Sequence, residues 1–144
     1  MNKFEDICAV IPAAGRGTRL GLDVPKILAR INSKLLIIDV LLEKLLPSVK
    51  MVNIIVHISE YLKYSDYPLD RIRLSVQSNP IGMGDAIFCG YEVWSLFSRI
   101  LIMWGDQVFV STKTIDNAIS MSANYDFVLP YVETKNPYVE FIFN

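Results

Sequence analysis

ICAVIPAAGRGTR, residues 7–19, predicts a strand followed by a ligand-binding loop. The run Ile7–Ile11 is wholly apolar and rich in β-branched side chains, and Pro12 ends it. Such a run is typical of a central parallel strand that is covered on both faces. Small residues and glycines follow, and they let the backbone approach a ligand closely. In open parallel sheets ligands bind beyond the carboxyl ends of the strands, which is where this loop lies.

Short apolar runs and segments of helical periodicity alternate along the rest of the chain. The apolar runs predict four further strands, at Asn53–Ile58, Ile72–Val76, Ile100–Met103 and Phe127–Leu129. The periodic segments predict three helices, at Leu36–Leu46, Met83–Phe97 and Thr112–Met121, the last one capped by Ser111 or Thr112. This alternation predicts an α/β fold of three layers, a mostly parallel central sheet with helices on both faces. Residues 138–143 predict one more strand, whose unpaired edge indicates a C-terminally truncated domain or a homo-oligomer.

Length and composition restrict the class of protein. The chain has 144 residues, 52% hydrophobic and 20% charged, which predicts a single folded domain over residues 1–144. Its net charge of −1 gives no basic field for nucleic acid. No signal peptide or membrane-spanning run is found, so we expect a cytoplasmic protein that does not bind membranes. Cys8 and Cys89 are expected to be buried and reduced.

The loop after the first strand has the composition of a phosphate-binding loop. Successive backbone N–H groups in such a loop form an anion-binding concavity, and Arg16, Arg19 and Lys26 supply positive charge. The loop is not a GxxxxGK[ST] loop, because the chain has no Gly-Lys pair. It is not a dinucleotide fingerprint either, because Leu20 stands where glycine is needed, and this disfavours a redox enzyme of Rossmann type. Taken alone, the loop is also compatible with a plain strand-to-helix turn.

Three motifs together resemble the signature of the nucleotidyltransferase superfamily. That superfamily includes the sugar-1-phosphate nucleotidyltransferases, among them the N-acetylglucosamine-1-phosphate uridylyltransferases, and the cytidylyltransferases. The first motif is Ala13–Arg19 followed by Pro25-Lys26, the second is Gln77–Ala86, and the third is Met103–Asp106. They occur in the order and roughly the spacing of the superfamily, and the resemblance spans residues 6 to about 140.

The resemblance implies that the first motif wraps a nucleoside triphosphate. The backbone contacts would come from Ala13, Ala14, Gly15 and Gly17. Arg16 would hold the leaving pyrophosphate, and Lys26 would stabilise charge around the α-phosphate. Both side chains would therefore be catalytic, together with Asp106.

The other two motifs imply a base-reading turn and a metal ligand. Gln77 and Gly82 would read the base, with UTP, CTP or dTTP favoured, and Asp106 would bind Mg²⁺. A phosphorylated small-molecule acceptor such as a sugar 1-phosphate would attack the α-phosphorus in line and release pyrophosphate. Such a transfer needs alignment and charge neutralisation rather than a covalent nucleophile.

The sequence departs from the pattern of the superfamily in two ways. Met83 replaces the threonine of the base-reading turn, so a hydroxyl contact is lost. The second metal ligand and the sugar-contacting residues would come from a segment beyond residue 144. None of the remaining carboxylates stands where that ligand is expected: Asp116, Asp126, Glu133 and Glu140. The alternative to an active transferase is therefore a nucleotide-binding module with an incomplete active site.

Three other features have simpler interpretations. Asp85 lies in the first turn of a predicted helix, where a carboxylate is favourable, and this is preferred over a role in ligand binding. His57 ends an apolar strand and is predicted to be structural. The aromatic cluster Tyr61, Tyr64 and Tyr67 lies near acidic residues, so an ordinary loop is favoured over nucleic-acid stacking.

Overall fold

The structure, a computed structural model, describes residues 6–15, 24–67, 70–79 and 81–135. Within these ranges four strands form one sheet: β1 (Ile7–Pro12), β2 (Met51–His57), β3 (Ile72–Gln77) and β4 (Arg99–Ile102). The strand order is β3-β2-β1-β4, and every neighbouring pair is parallel. The α-helices are α1 (Ile37–Leu45), α2 (Met83–Cys89), α3 (Tyr91–Trp94) and α4 (Thr112–Met121). Two 3-10 helices complete the described elements, Lys26–Leu28 and Ile58–Tyr64.

Strand β1 is central and is buried on both faces. Ile7, Ala9 and Ile11 point into the larger apolar cluster, which holds the buried side chains of α1 and α4. Cys8 and Val10 point the other way, into a smaller cluster with Ala86 of α2 and residues of α3. Because side chains alternate along a strand, a run that is apolar at every position requires a layer of helices on each side. The predicted three-layer α/β fold with a parallel sheet is confirmed.

Most of the predicted elements are present with small changes at their ends. Helix α4 has the predicted bounds, and Ser111 caps it, since its Oγ accepts a hydrogen bond from the backbone N–H of Thr114 at 3.1 Å. Strand β2 begins at Met51, two residues earlier than predicted, because it pairs with β1 from Cys8 onward. Among the described residues, no helix is long and apolar enough to cross a membrane.

The predicted helix Met83–Phe97 is divided at Gly90, and Cys89 is exposed rather than buried. At Gly90 the backbone lies so close to β2 that an added Cβ would be 2.7 Å from Asn53 Oδ1. Helix α2 therefore packs on the sheet through Ala86 and Gly90, while Cys89 lies on the side that carries Asp85. The prediction that Cys8 is buried is confirmed.

Phe127–Leu129 does not form the predicted strand. The segment has no regular secondary structure and pairs with none of the described strands, and Phe127 is 78% exposed. Its residues instead lie along α4, where they line an apolar groove, and Pro130, which has no N–H to donate, follows at once. The predicted final strand at 138–143 lies outside the described residues.

Candidate nucleotide-binding site

The strand order brings the three motifs to one edge of the sheet. The chain moves outward from β1 to β2 and β3, and then returns to place β4 on the other side of β1. A crevice forms where the strand order reverses in this way, beyond the carboxyl ends of the strands. Ala13–Gly15 follow β1, Gln77 ends β3, and Trp104–Asp106 follow β4. All three motifs therefore lie at the edge where a parallel sheet of this kind binds its ligand.

A cleft of about 330 Å³ lies at this edge. Residues of all three motifs line it: Pro12, Ala14, Gly15, Gln77, Gly82, Met83, Ala86 and Trp104. This volume lies in the range of small-molecule sites. A slightly larger groove, about 390 Å³, runs between α4 and residues 125–130, but it contains none of the motif residues. We therefore take the smaller cleft as the candidate site.

Two glycines give the cleft open backbone walls. Among the described residues, no atom lies within 4 Å of a Cβ added at Gly15. Gly82 has φ of +147° and ψ of 170°, a backbone conformation that residues other than glycine rarely adopt. Its carbonyl accepts hydrogen bonds from the Ala86 backbone N–H at 3.1 Å and from Gln77 Nε2 at 3.3 Å. Gly82 thus turns the chain into α2 and connects that turn to β3.

Gln77 is held by the turn that precedes α2. Its side chain is buried, with 2% of the residue exposed, and its Nε2 donates to Asp85 Oδ2 at 2.6 Å as well as to the Gly82 carbonyl. Asp85 also accepts a long hydrogen bond from Cys89 Sγ at 3.8 Å, and partial burial together with the Asp85 charge raises the pKa of Cys89. The contact between Asp85 and Gln77 is not foreseen by the helix-charge interpretation of Asp85, because it depends on the turn at Gly82.

Lys26 and Asp106 form an ion pair near Trp104, which lines the cleft. Lys26 Nζ lies 2.6 Å from Asp106 Oδ2, and the two side chains are 43% and 47% exposed. Lys26 lies in a 3-10 helix that is anchored by the buried Ile27, and an added Cβ at Gly105 would lie 3.5 Å from Ile27 Cδ1. The sequence predicts both residues as catalytic, and the structure brings them together although eighty positions separate them.

The segment that carries Asp106 is fixed by hydrogen bonds. Gln107 Oε1 accepts from the backbone N–H of Trp104 at 2.9 Å, and the Val108 N–H donates to the Asp106 carbonyl at 2.9 Å. Lys44 of α1 donates through Nζ to the carbonyls of Val108 and Val110. The sequence motifs do not point to Lys44 or Gln107 as contributors to the site. The turn that they fix presents the Asp106 carboxylate toward solvent and Lys26.

The donor set suits a Mg²⁺ ion that is bound mainly by its substrate. Among the described residues, no three Asp, Glu, His or Cys side chains form a cluster that could hold a metal. Mg²⁺ is usually bound through one or two carboxylates, phosphate oxygens and waters rather than by a cage of protein ligands. A half-exposed carboxylate at the end of a strand, such as Asp106, fits this arrangement.

Other predicted residues are placed as follows. Ala14 is buried and Ala13 half-buried at the end of β1, and Arg16 and Gly17 lie outside the described residues. His57 is buried, and its Nδ1 accepts from the backbone N–H of Ser59 at the start of the 3-10 helix, as expected of a structural residue. In the tyrosine cluster, burial of Tyr64 raises its pKa, and Tyr67 donates to Asp39 Oδ1 at 3.1 Å.

Comparison with known proteins identifies the family. The sequence profile of MobA-like NTP transferase domains matches residues 9–141. The chain belongs to this family. It is also 32% identical over 131 residues to the bifunctional protein GlmU of Nitratiruptor sp., and 29% identical over 138 residues to that of Buchnera aphidicola subsp. Schizaphis graminum. These matches cover 89% and 92% of the chain but only 29% of each relative, so the chain spans under a third of their length.

Solved structures confirm the fold. Rv0371c from Mycobacterium tuberculosis superposes with a TM-score of 0.67 at 20% identity, over 83% of this chain and 61% of its own. A nucleotidyl transferase from Methanothermobacter gives a TM-score of 0.62 at 22% identity, over 79% of this chain and 56% of its own. The family match over residues 9–141 confirms the resemblance to the nucleotidyltransferase superfamily.

Proposed function

We propose that this domain transfers a nucleoside monophosphate from a pyrimidine nucleoside triphosphate to a sugar 1-phosphate or a similar phosphorylated acceptor. The observation that carries the proposal is the contact between Lys26 and Asp106, two residues after Trp104, which lines the cleft together with Gln77 and Gly82. A cation for phosphate and a carboxylate for a metal would thus lie at the same edge of the sheet as a pocket of suitable size. The similarity to the GlmU proteins favours a sugar phosphate as acceptor.

The proposed reaction is an in-line displacement. An acceptor phosphate oxygen attacks the α-phosphorus, a new P–O bond forms, and the bond to the β-phosphate oxygen breaks, so that its electron pair leaves with pyrophosphate. Lys26 would offset charge on the α-phosphate, and Arg16 would hold the pyrophosphate. The backbone N–H groups of Ala13, Ala14, Gly15 and Gly17 would surround the phosphates. Most of the catalysis would therefore come from positioning and electrostatic stabilisation.

Asp106 would hold the divalent cation, Mg²⁺ in our proposal. When bound, the cation supplies charge neutralisation at the phosphate oxygens. Rv0371c has also been solved in complex with manganese, in a structure that matches this chain at 19% identity. This complex supports a divalent-metal site in the fold. Lys26 would then exchange its contact with Asp106 for one with phosphate.

A second candidate is a nucleotide-binding module that does not turn over on its own. It is favoured by the finding that no three Asp, Glu, His or Cys side chains form a cluster that could hold a metal in the described ranges. Both candidates take residues 1–144 as one nucleotidyltransferase unit that holds the nucleotide-binding portion. Self-association and a cytoplasmic location stay predictions.

Two measurements separate these candidates. Calorimetric titration with UTP, CTP, dTTP, GTP and ATP in the presence of Mg²⁺ should show binding of at least one pyrimidine triphosphate. Failure of all five to bind would refute both candidates. Pyrophosphate release is then measured with a panel of sugar 1-phosphates. Release with one of them supports the transferase, whereas binding with no release from any of them supports the binding module.

A further inference from the structure

We propose that Asp85 is a positioning residue that fixes the Gln77 amide with only its oxygen available to a bound base. The inference rests on the proposed function, since it names the chemistry by which the base of the nucleotide would be selected. A site of this kind favours a pyrimidine that presents an N–H donor to Gln77 Oε1. In uracil that donor is N3–H, and in cytosine it is the 4-amino group.

The orientation of the amide follows from its two partners. Gln77 is buried and lies against a carboxylate oxygen of Asp85 and the backbone carbonyl oxygen of Gly82. Both partners only accept hydrogen bonds, so the NH₂ group must face them and the oxygen must face away. The bond to Asp85, at 2.6 Å, is charge-assisted and is the stronger of the two.

Both amide hydrogens are therefore committed to the protein. Gln77 lines the cleft, and within the described part of the chain its Oε1 accepts no hydrogen bond. A glutamine that is free to rotate can turn either its donor or its acceptor toward a base. Here rotation would bring the amide oxygen against the Asp85 carboxylate, where two acceptors face each other. The Gln77 amide can in general donate or accept a hydrogen bond, and Asp85 thus restricts it to accepting one from the base.

A partly buried hydrogen-bond acceptor discriminates strongly between bases that present an N–H donor to it and bases that do not. A base without an N–H at this position leaves Oε1 without a partner, and an unmade hydrogen bond in a desolvated site costs more than a made one gains. We expect triphosphates that lack the donor to bind at least tenfold more weakly than those that have it.

The test compares the discrimination of the wild type with that of Asp85→Asn. The probes are CTP against the triphosphate of pyrimidin-2-one riboside, which lacks the 4-amino group, and UTP against 3-methyl-UTP. Asparagine has nearly the same shape but can donate to Gln77 Oε1, so the amide can turn its NH₂ toward the base. For at least one of these two pairs, we expect the ratio of the two dissociation constants to be at least fivefold smaller in Asp85→Asn than in the wild type. The matched control is Glu92→Gln, which removes an exposed carboxylate from α3 and should leave both ratios unchanged.

A second measurement detects the contact without any ligand. The ¹⁵N–¹H signals of the Gln77 side-chain amide, assigned by their loss in Gln77→Leu, should shift in Asp85→Asn and stay in place in Glu92→Gln. Triphosphate binding with equal ratios in wild type and Asp85→Asn, or an unshifted amide signal, would overturn this inference and leave the proposed function intact. If no triphosphate binds the wild type, the proposed function fails and the inference fails with it.

Discussion

An ion pair lies at each end of the β1–β4 pair, and the two differ in how their charges are satisfied. At the amino ends, Asp6 and Arg99 form a two-pronged contact, with Nη2 2.8 Å from Oδ1 and Nε 3.1 Å from Oδ2. At the carboxyl ends, Lys26 and Asp106 make one contact of 2.6 Å. Charges joined by one exposed contact can exchange partners at low cost, whereas a network of hydrogen bonds holds its members in place.

The surroundings of the two pairs reinforce this difference. Ser98 Oγ also donates to Asp6, at 2.7 Å, and Arg99 Nη1 donates to the Ile119 carbonyl and to Ser122 Oγ of the α4 end, at 3.2 and 3.1 Å. No such additional contact is found for the side chains of Lys26 and Asp106 in the described ranges. The pair at the amino ends therefore connects β4 to α4 and β1. In the proposed function, the pair at the carboxyl ends would separate to contact phosphate and a divalent cation.

The largest expected effect is that of Asp106→Asn on pyrophosphate release. Loss of the carboxylate removes the proposed metal ligand, and metal-ion stabilisation of the transferring phosphate contributes several kcal/mol. We expect the rate with an active sugar 1-phosphate to fall about 100-fold or more, with the urea midpoint unchanged because the side chain is nearly half exposed. Asp6→Asn serves as control and should keep the wild-type rate. Equal rates for Asp106→Asn and wild type would contradict the assigned role.

Arg99→Ala tests the ion pair at the amino ends, Asp6–Arg99. Unlike Asp106→Asn, it should lower the stability and leave the activity unchanged. The substitution removes hydrogen bonds to Asp6, Ile119 and Ser122, so we expect the free energy of unfolding to fall by about 2 kcal/mol. Activity per folded molecule should stay at the wild-type level. Urea denaturation gives the first quantity and the pyrophosphate assay the second. In Arg30→Ala, the control, an exposed arginine loses one hydrogen bond to Ser33, and the cost should be below about 0.5 kcal/mol.

Much of the central sheet could be predicted from the sequence because β1, β2 and β4 are apolar at most positions and β3 alternates between apolar and polar residues. Strand β1 and helix α4 are found with little change. The break at Gly90 and the unpaired Phe127–Leu129 were missed for a common reason. Both depend on what the segment packs against, Asn53 of β2 in one case and α4 in the other. Local periodicity carries no information about such contacts.

In the candidate site, too, the features that depend on local motifs could be predicted, and a contact that depends on the fold could not. The motifs place Gln77 and Asp106 at strand ends, and parallel strands end at one edge, so their position at that edge is foreseeable. Lys26 lies in a 3-10 helix after β1, so its contact with Asp106 does not follow from strand ends alone. The contact of Asp85 with Gln77 was not foreseeable, because it needs the turn at Gly82 to bring two residues eight positions apart together. A residue that orients another side chain leaves no mark in the motif itself.

The smallest expected effect is the pH dependence of the stability that the Asp6–Arg99 pair contributes. Hydrogen bonds from Arg99 and Ser98 lower the pKa of Asp6 from 3.8 to about 2. Because the folded-state pKa lies below the unfolded one, the Asp6 carboxylate stabilises the fold fully above about pH 4, and this contribution disappears as the pH falls toward 2. Asp6→Asn does not titrate. Its free energy of unfolding should therefore be lower than that of wild type at pH 7, and the difference should vanish near pH 2.

The difference between Asp6→Asn and wild type should be below about 1 kcal/mol, since water screens a side chain that is nearly half exposed. Urea denaturation of both proteins from pH 7 down to the lowest pH at which they fold gives the curve. An NMR titration of the Asp6 carboxyl carbon gives its pKa directly, without the unfolded state. A pKa near 3.8, or a difference that grows as the pH falls, would show that the amino-end pair is as loosely held as the carboxyl-end pair.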